Sequence, residues 1–82
     1  MYQLDDKPKE RNFDFLTGYH EKLRQLFNIE NIWDSQRSRS DAEDFIYTYK
    51  DKMPDKNDAK EDYFYCLGRL WGCHDYLEGE DE

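Results

Sequence analysis

Glycine, proline and cysteine are all scarce in this chain, at four, two and two residues among 82, and each shortage excludes a class of protein. Two cysteines cannot make the disulfide framework that staples small secreted domains, so a reducing cytoplasm is the expected compartment, the host's if the chain is viral. No apolar stretch is long enough for a signal peptide or a membrane span, and no lipidation motif is present, so no membrane role is expected. The glycines form no phosphate-cradling loop, since Gly68 and Gly72 lie inside an apolar run and not between a strand and a helix.

Soft metal ligands are equally few: Cys66, Cys73, His20 and His74 are all the chain owns. Two cysteines seven positions apart on a helix lie ~10 Å apart along its axis, too far to share one zinc or to bond to each other. His20-Glu21 begins a metalloprotease-like motif, but Arg24 stands where the second histidine belongs. Cys73 and His74 are sequence neighbours and point about 100° apart on a helix, so they cannot act as a nucleophile and its base. Neither metal nor cofactor is expected. Twenty acids single out no acid/base pair, and 82 residues leave little surface for both a core and a roomy cleft, so the chain is not expected to be an enzyme.

What is abundant is aromatic and acidic. Seven Tyr, five Phe and two Trp put the apolar surface into large rings, a composition foreign to disordered acidic chains. Leu16, Tyr19, Leu23, Leu26 and Phe27 recur at spacings of three and four, predicting a helix from Lys9 or Asn12 through Phe27 or Asn28. Ser40 and Glu43 read as a capping box for a second helix whose stripe is Ala42, Phe45, Ile46, Tyr49 and Met53 and which Pro54 ends. Asn57 or Asp58 caps a third, running to about Glu78. Between the first two lies Asn28 to Arg39, long for a loop in so small a domain. Ile29, Ile32 and Trp33 are expected to lid one end of the bundle there, or Trp33 to anchor an interface. The fold class is therefore all-α: one domain over 1–82, a small three-helix bundle with room for an extra helical turn around Asn31 to Ser35, and flexible ends at 1–8 and 79–82. Its expected core is Leu16, Tyr19, Leu23, Leu26, Phe27, Phe45, Ile46, Tyr49, Tyr63, Leu67, Leu70, Trp71 and Leu77.

The net charge of −8 is local. Between Glu61 and Glu82, Arg69 is the only cation against seven acids, so this stretch supplies −6, while residues 37–60 balance six against six. Such a segment repels phosphate, so no direct nucleic-acid ligand is expected, and the expected partner of the charge is a protein with a basic groove. The expected binding residues are Glu61, Asp62, Tyr65, Tyr76 and Glu78, with Trp33 as an aromatic anchor. In composition, though not in any motif, the chain resembles small acidic inhibitors of phages and mobile elements, such as anti-restriction and anti-CRISPR proteins. That likeness implies an inhibitor that mimics DNA towards a nucleic-acid-binding host protein, and it requires acids spaced along one continuous stripe. A second reading comes from the third helix, where Gly68 and Gly72 cost ~2 kcal/mol in propensity and fall opposite the core stripe. A small-residue face of that kind would receive a partner helix or a second copy, making a regulatory or assembly protein. Monomer and homodimer both remain open on the sequence.

Overall fold

Asn12 ends an extended N-terminal segment by accepting the Phe15 amide on its side-chain oxygen at 2.9 Å. That satisfies one of the free amides of a helix start, and helix α1 (Phe13–Ile32) follows. The computed structural model describes residues 4–79, in which α2 (Ser35–Tyr49) and α3 (Lys60–Gly79) complete an up-down-up, all-α bundle. Fraying expected of residues 1–3 and 80–82 lies outside the described residues. Residues 4–8, expected to be loose, are instead tied to α3: the Trp71 indole N–H donates to the Asp5 carbonyl at 2.8 Å and the Tyr63 hydroxyl to the Asp5 carboxylate at 2.5 Å.

The expected long loop between the first two helices is almost all helix. α1 runs on to Ile32, Trp33 closes it by donating its amide to the Ile29 carbonyl at 2.8 Å, and Asp34 caps α2 by accepting the Arg37 amide at 2.7 Å. The second helix thus starts five residues before Ser40, which lies within it, and ends at Tyr49, short of Pro54. Before α3, the Asp55 carboxylate accepts the amides of Asn57 and Asp58 at 2.7 and 2.9 Å. The bonds from Asp58 and Asn57 hold its carboxyl below the usual range. Asp55, and neither Asn57 nor Asp58, organises the entry to α3.

α3 lies centrally, buried on both sides. One side carries Tyr63, Leu67, Leu70, Cys73 and Leu77; with Leu26, Ala42, Ile46 and Phe15 these make the core. Leu26, Ile46, Leu67 and Leu70 are fully enclosed, each worth ~1.5–3 kcal/mol of burial. The other side carries the glycines, and α1 occupies it. A methyl on Gly68 would collide with the Phe15 carbonyl, and one on Gly18 with the Tyr65 carbonyl, so the two helices meet backbone to backbone. At Gly72 the contact is only slightly looser, 3.0 Å to the Tyr19 oxygen. The glycine face expected to receive an external partner is therefore closed by the chain itself, because tight backbone approach to α1 offsets the lost helix propensity.

This approach also rotates α1. Its buried line is Phe15, Gly18, Lys22 and Leu26; of the expected stripe Leu26 lies on it, while Leu16, Tyr19 and Leu23 become half-buried flanks and Phe27 is exposed. Tyr49, also expected in the core, is exposed too, while Phe45 and Trp71 are partly covered. Lys22, 2% exposed, lies in the seam: its ammonium is 3.2 Å from Asp41 Oδ2, 3.0 Å from Gln25 Oε1 and 4.3 Å from the centre of the Phe45 ring. A buried cation is tolerated only with such partners.

Candidate interaction surface

The residues expected to form one acidic, tyrosine-bearing surface are distributed over two ends of the bundle. Glu61 and Asp62 are exposed in the first turn of α3, where they complement its dipole. Glu78 is exposed in the last turn, ~25 Å away along the axis at 1.5 Å per residue. Between Asp62 and Asp75, α3 presents no acid, and Arg69 stands midway. Among the described residues, α3 therefore carries no continuous acidic stripe. On α2, Asp41, Glu43 and Asp44 are flanked by Arg37 and Arg39 before and Lys50 after, and in the following loop Asp51, Asp55 and Asp58 alternate with Lys52 and Lys56.

Of the two tyrosines expected there, Tyr76 faces inward and Tyr65 is partly covered. Tyr65 is half-buried, its hydroxyl donating to Glu21 Oε1 at 2.5 Å and accepting from Arg69 Nη1 at 3.1 Å. Tyr76 is 4% exposed; its hydroxyl donates to Glu30 Oε1 at 2.6 Å and lies 2.5 Å from the buried Ser38 Oγ. Burial first, then the Glu30 bond, raises the Tyr76 pKa. Tyr65 and Tyr76 thus join helices and offer little to a partner, and Gly68 and Gly72 are covered. Their aromatic character was visible in the sequence, but their direction depends on the rotation of α1, which was not.

What the fold does bring together is one pole of the bundle, where α1 ends, α2 begins and α3 ends. Glu30 and Phe27 of α1 touch Tyr76 of α3, Ser38 of α2 touches it from the other side, and Arg39 Nη2 reaches the Leu77 carbonyl at 3.2 Å. At this pole Ile32 and Trp33 are 67% and 64% exposed, so neither acts as the expected lid; Ile29 is partly covered. The Arg37 guanidinium stands 4.6 Å over the Trp33 ring, which stays open to solvent. Glu30, Asp34 and Glu78 lie at the same pole, and neither α1 nor α3 has a basic residue of its own in its last turn, the cations there being Arg37 and Arg39 of α2, the latter bonded to the end of α3. Ile32, expected to help lid the bundle, is exposed because α1 continues as helix through Asn28 to Ile32.

A second polar cluster lies on the α1/α3 flank. Asp75 Oδ2 accepts from the Tyr19 hydroxyl at 2.5 Å and from Lys7 Nζ at 3.4 Å, and Oδ1 lies 3.4 Å from His74 Nδ1. His74 Nε2 is 3.7 Å from Glu78, which connects this flank to the pole. Burial pushes the Asp75 carboxyl up, but the Tyr19 and His74 bonds and the Lys7 ammonium outweigh it and hold the pKa below its usual value. Burial, the Asp75 bond and its charge push Tyr19 up to about 12.

Neither cysteine is poised for chemistry. Burial is the main cause that raises both thiols, Cys73 to about 12, which suppresses the nucleophilic thiolate. Among the described residues no three His, Cys, Asp or Glu side chains are grouped to hold a metal ion, and no helix is long and apolar enough to cross a membrane. Comparison with family models, with curated proteins and with solved structures finds no match in any of the three.

Proposed function

We propose that this chain is a small non-enzymatic protein that binds a basic protein partner through the Trp33 pole and thereby inhibits or modulates it. The observation that carries the reading is the exposure of Ile32 and Trp33, side by side at a pole that also carries Glu30, Asp34 and Glu78. A mostly exposed tryptophan at a helix corner is the type of residue that dominates binding energy once a partner covers it, and the acids at the ends of α1 and α3 favour a positively charged counterpart. The net charge of −8 supports attraction to such a surface at long range.

A groove that ordinarily holds nucleic acid is the basic surface such a charge fits best, and in that version the chain is an inhibitor of phage or mobile-element type acting by DNA mimicry. Glu30, Asp34 and Glu78 at the pole, with three further acids at 80–82 in sequence, support a mimic of a short stretch of phosphates, not of a long one. The competing reading, homodimerisation or helix docking through Gly68 and Gly72, loses its surface to α1.

The test is affinity capture from the native host, identification of the retained protein, and measurement of its association rate from ~50 to ~500 mM salt, a range that shrinks the Debye length well below ~10 Å. The expected result is a steep fall in association rate, with nucleic acid competing for the same site. A flat profile would contradict the electrostatic part of the reading.

A further inference from the structure

We propose that Tyr19, Trp71 and Asp75 form an ammonium-binding box that the chain fills with its own Lys7 and that, once Lys7 leaves, takes a lysine side chain of a protein partner. Lys7 Nζ lies 4.8 Å from the centre of the Trp71 ring, 5.8 Å from that of Tyr19 and 3.4 Å from Asp75 Oδ2. Two aromatic faces and a carboxylate converging on one cation is the chemistry by which proteins recognise ammonium groups.

The walls of the box are set without Lys7. The Tyr19 hydroxyl fixes one Asp75 oxygen and His74 lies against the other. Trp71 is oriented by its bond to the Asp5 carbonyl and by the edge of His74, 4.9 Å between ring centres. Lys7 comes from a non-helical segment just before Pro8, and its side chain is half exposed, so it can leave without breaking a helix. Asp5 holds that segment to Tyr63 and Trp71 independently. Lys7 is thus a self-ligand: it lowers the apparent affinity for an outside lysine by the fraction of time it occupies the box. The box does not depend on the Trp33 pole, so its test needs no partner protein.

The experiment follows the Trp71 indole N–H by NMR while Nα-acetyl-lysine amide is added to wild type, Lys7→Ala and Lys7→Ala/Asp75→Asn, with Nα-acetyl-norleucine amide at matched ionic strength as the neutral probe. In Lys7→Ala the lysine derivative should give a saturable shift and the norleucine derivative none. In wild type binding should be weaker by about tenfold, as expected for a box filled nine-tenths of the time, and in the double variant it should be lost. No saturable shift in Lys7→Ala, or an equal shift with the neutral probe, would overturn the proposal; so would equal affinity in wild type. The comparison of wild type with Lys7→Ala leaves the box unaltered, so it decides the matter even if the double variant folds poorly.

Discussion

A tyrosine ring carries its hydroxyl far enough from its own backbone to reach a neighbouring element, and Tyr19, Tyr63, Tyr65 and Tyr76 each donate to a carboxylate there: Asp75, Asp5, Glu21 and Glu30. Each bond neutralises nothing, but it holds an acid against the bundle that composition alone would assign to open surface. The consequence is a pH dependence at the alkaline end. Burial first, then the bond to a carboxylate, raises Tyr19 and Tyr63 from 10.0 to about 12 in the folded chain. The folded state then retains protons that the unfolded state has lost, so the stability they contribute is complete below pH 10 and disappears as the pH climbs towards 12. Chemical denaturation at stepped pH should show that decline, shallower in Tyr19→Phe/Tyr63→Phe; an unchanged slope in the double variant would contradict it.

Helix by helix, the chain's periodicity revealed three helices but not how they are turned towards one another. Phe15, Gly18, Lys22 and Leu26 form the buried line of α1 because a glycine there lets α3 come close; a reading that weights side chains by hydropathy passes over a glycine and a lysine and selects Leu16, Tyr19 and Leu23. The start of α2 was misplaced for a related reason. Ser40 and Glu43 make a sound capping box in isolation, yet Asp34 directly follows an apolar residue and caps just as well. Packing of Ile29 and the Glu30–Tyr76 bond carry α1 through weak helix formers at Asn28 and Asn31, which local propensity disfavours. The glycine contact gives the sharpest prediction at this level. Gly18→Ala and Gly68→Ala drive a methyl into backbone and should destabilise by ~1–3 kcal/mol despite a helix-propensity gain of up to ~1 kcal/mol. Gly79→Ala, with nothing within 4 Å of the added carbon, should melt no earlier than wild type. A Gly68→Ala protein that melts later would show that α1 and α3 are not so closely seated.

For the molecule as a whole, the excess charge was legible in the sequence and its arrangement was not. Seven acids between Glu61 and Glu82 look like one surface on paper, but α3 is long enough to place Glu61 and Asp62 at one end of the bundle and Glu78 at the other. What joins Glu78 to Trp33 is the parallel course of α1 and α3, a property of topology. The central claim is that binding energy resides at that pole, and the most direct measurement is the affinity of the captured partner for Trp33→Ala beside Glu61→Gln/Asp62→Gln. Trp33 is mostly exposed, so its truncation should leave the melting temperature near wild type. Trp33→Ala should weaken binding by about thirtyfold or more, the loss of ~2 kcal/mol typical of a dominant aromatic contact, while the distant double variant stays within about threefold. Full affinity in Trp33→Ala, with the loss falling on Glu61 and Asp62, would contradict it.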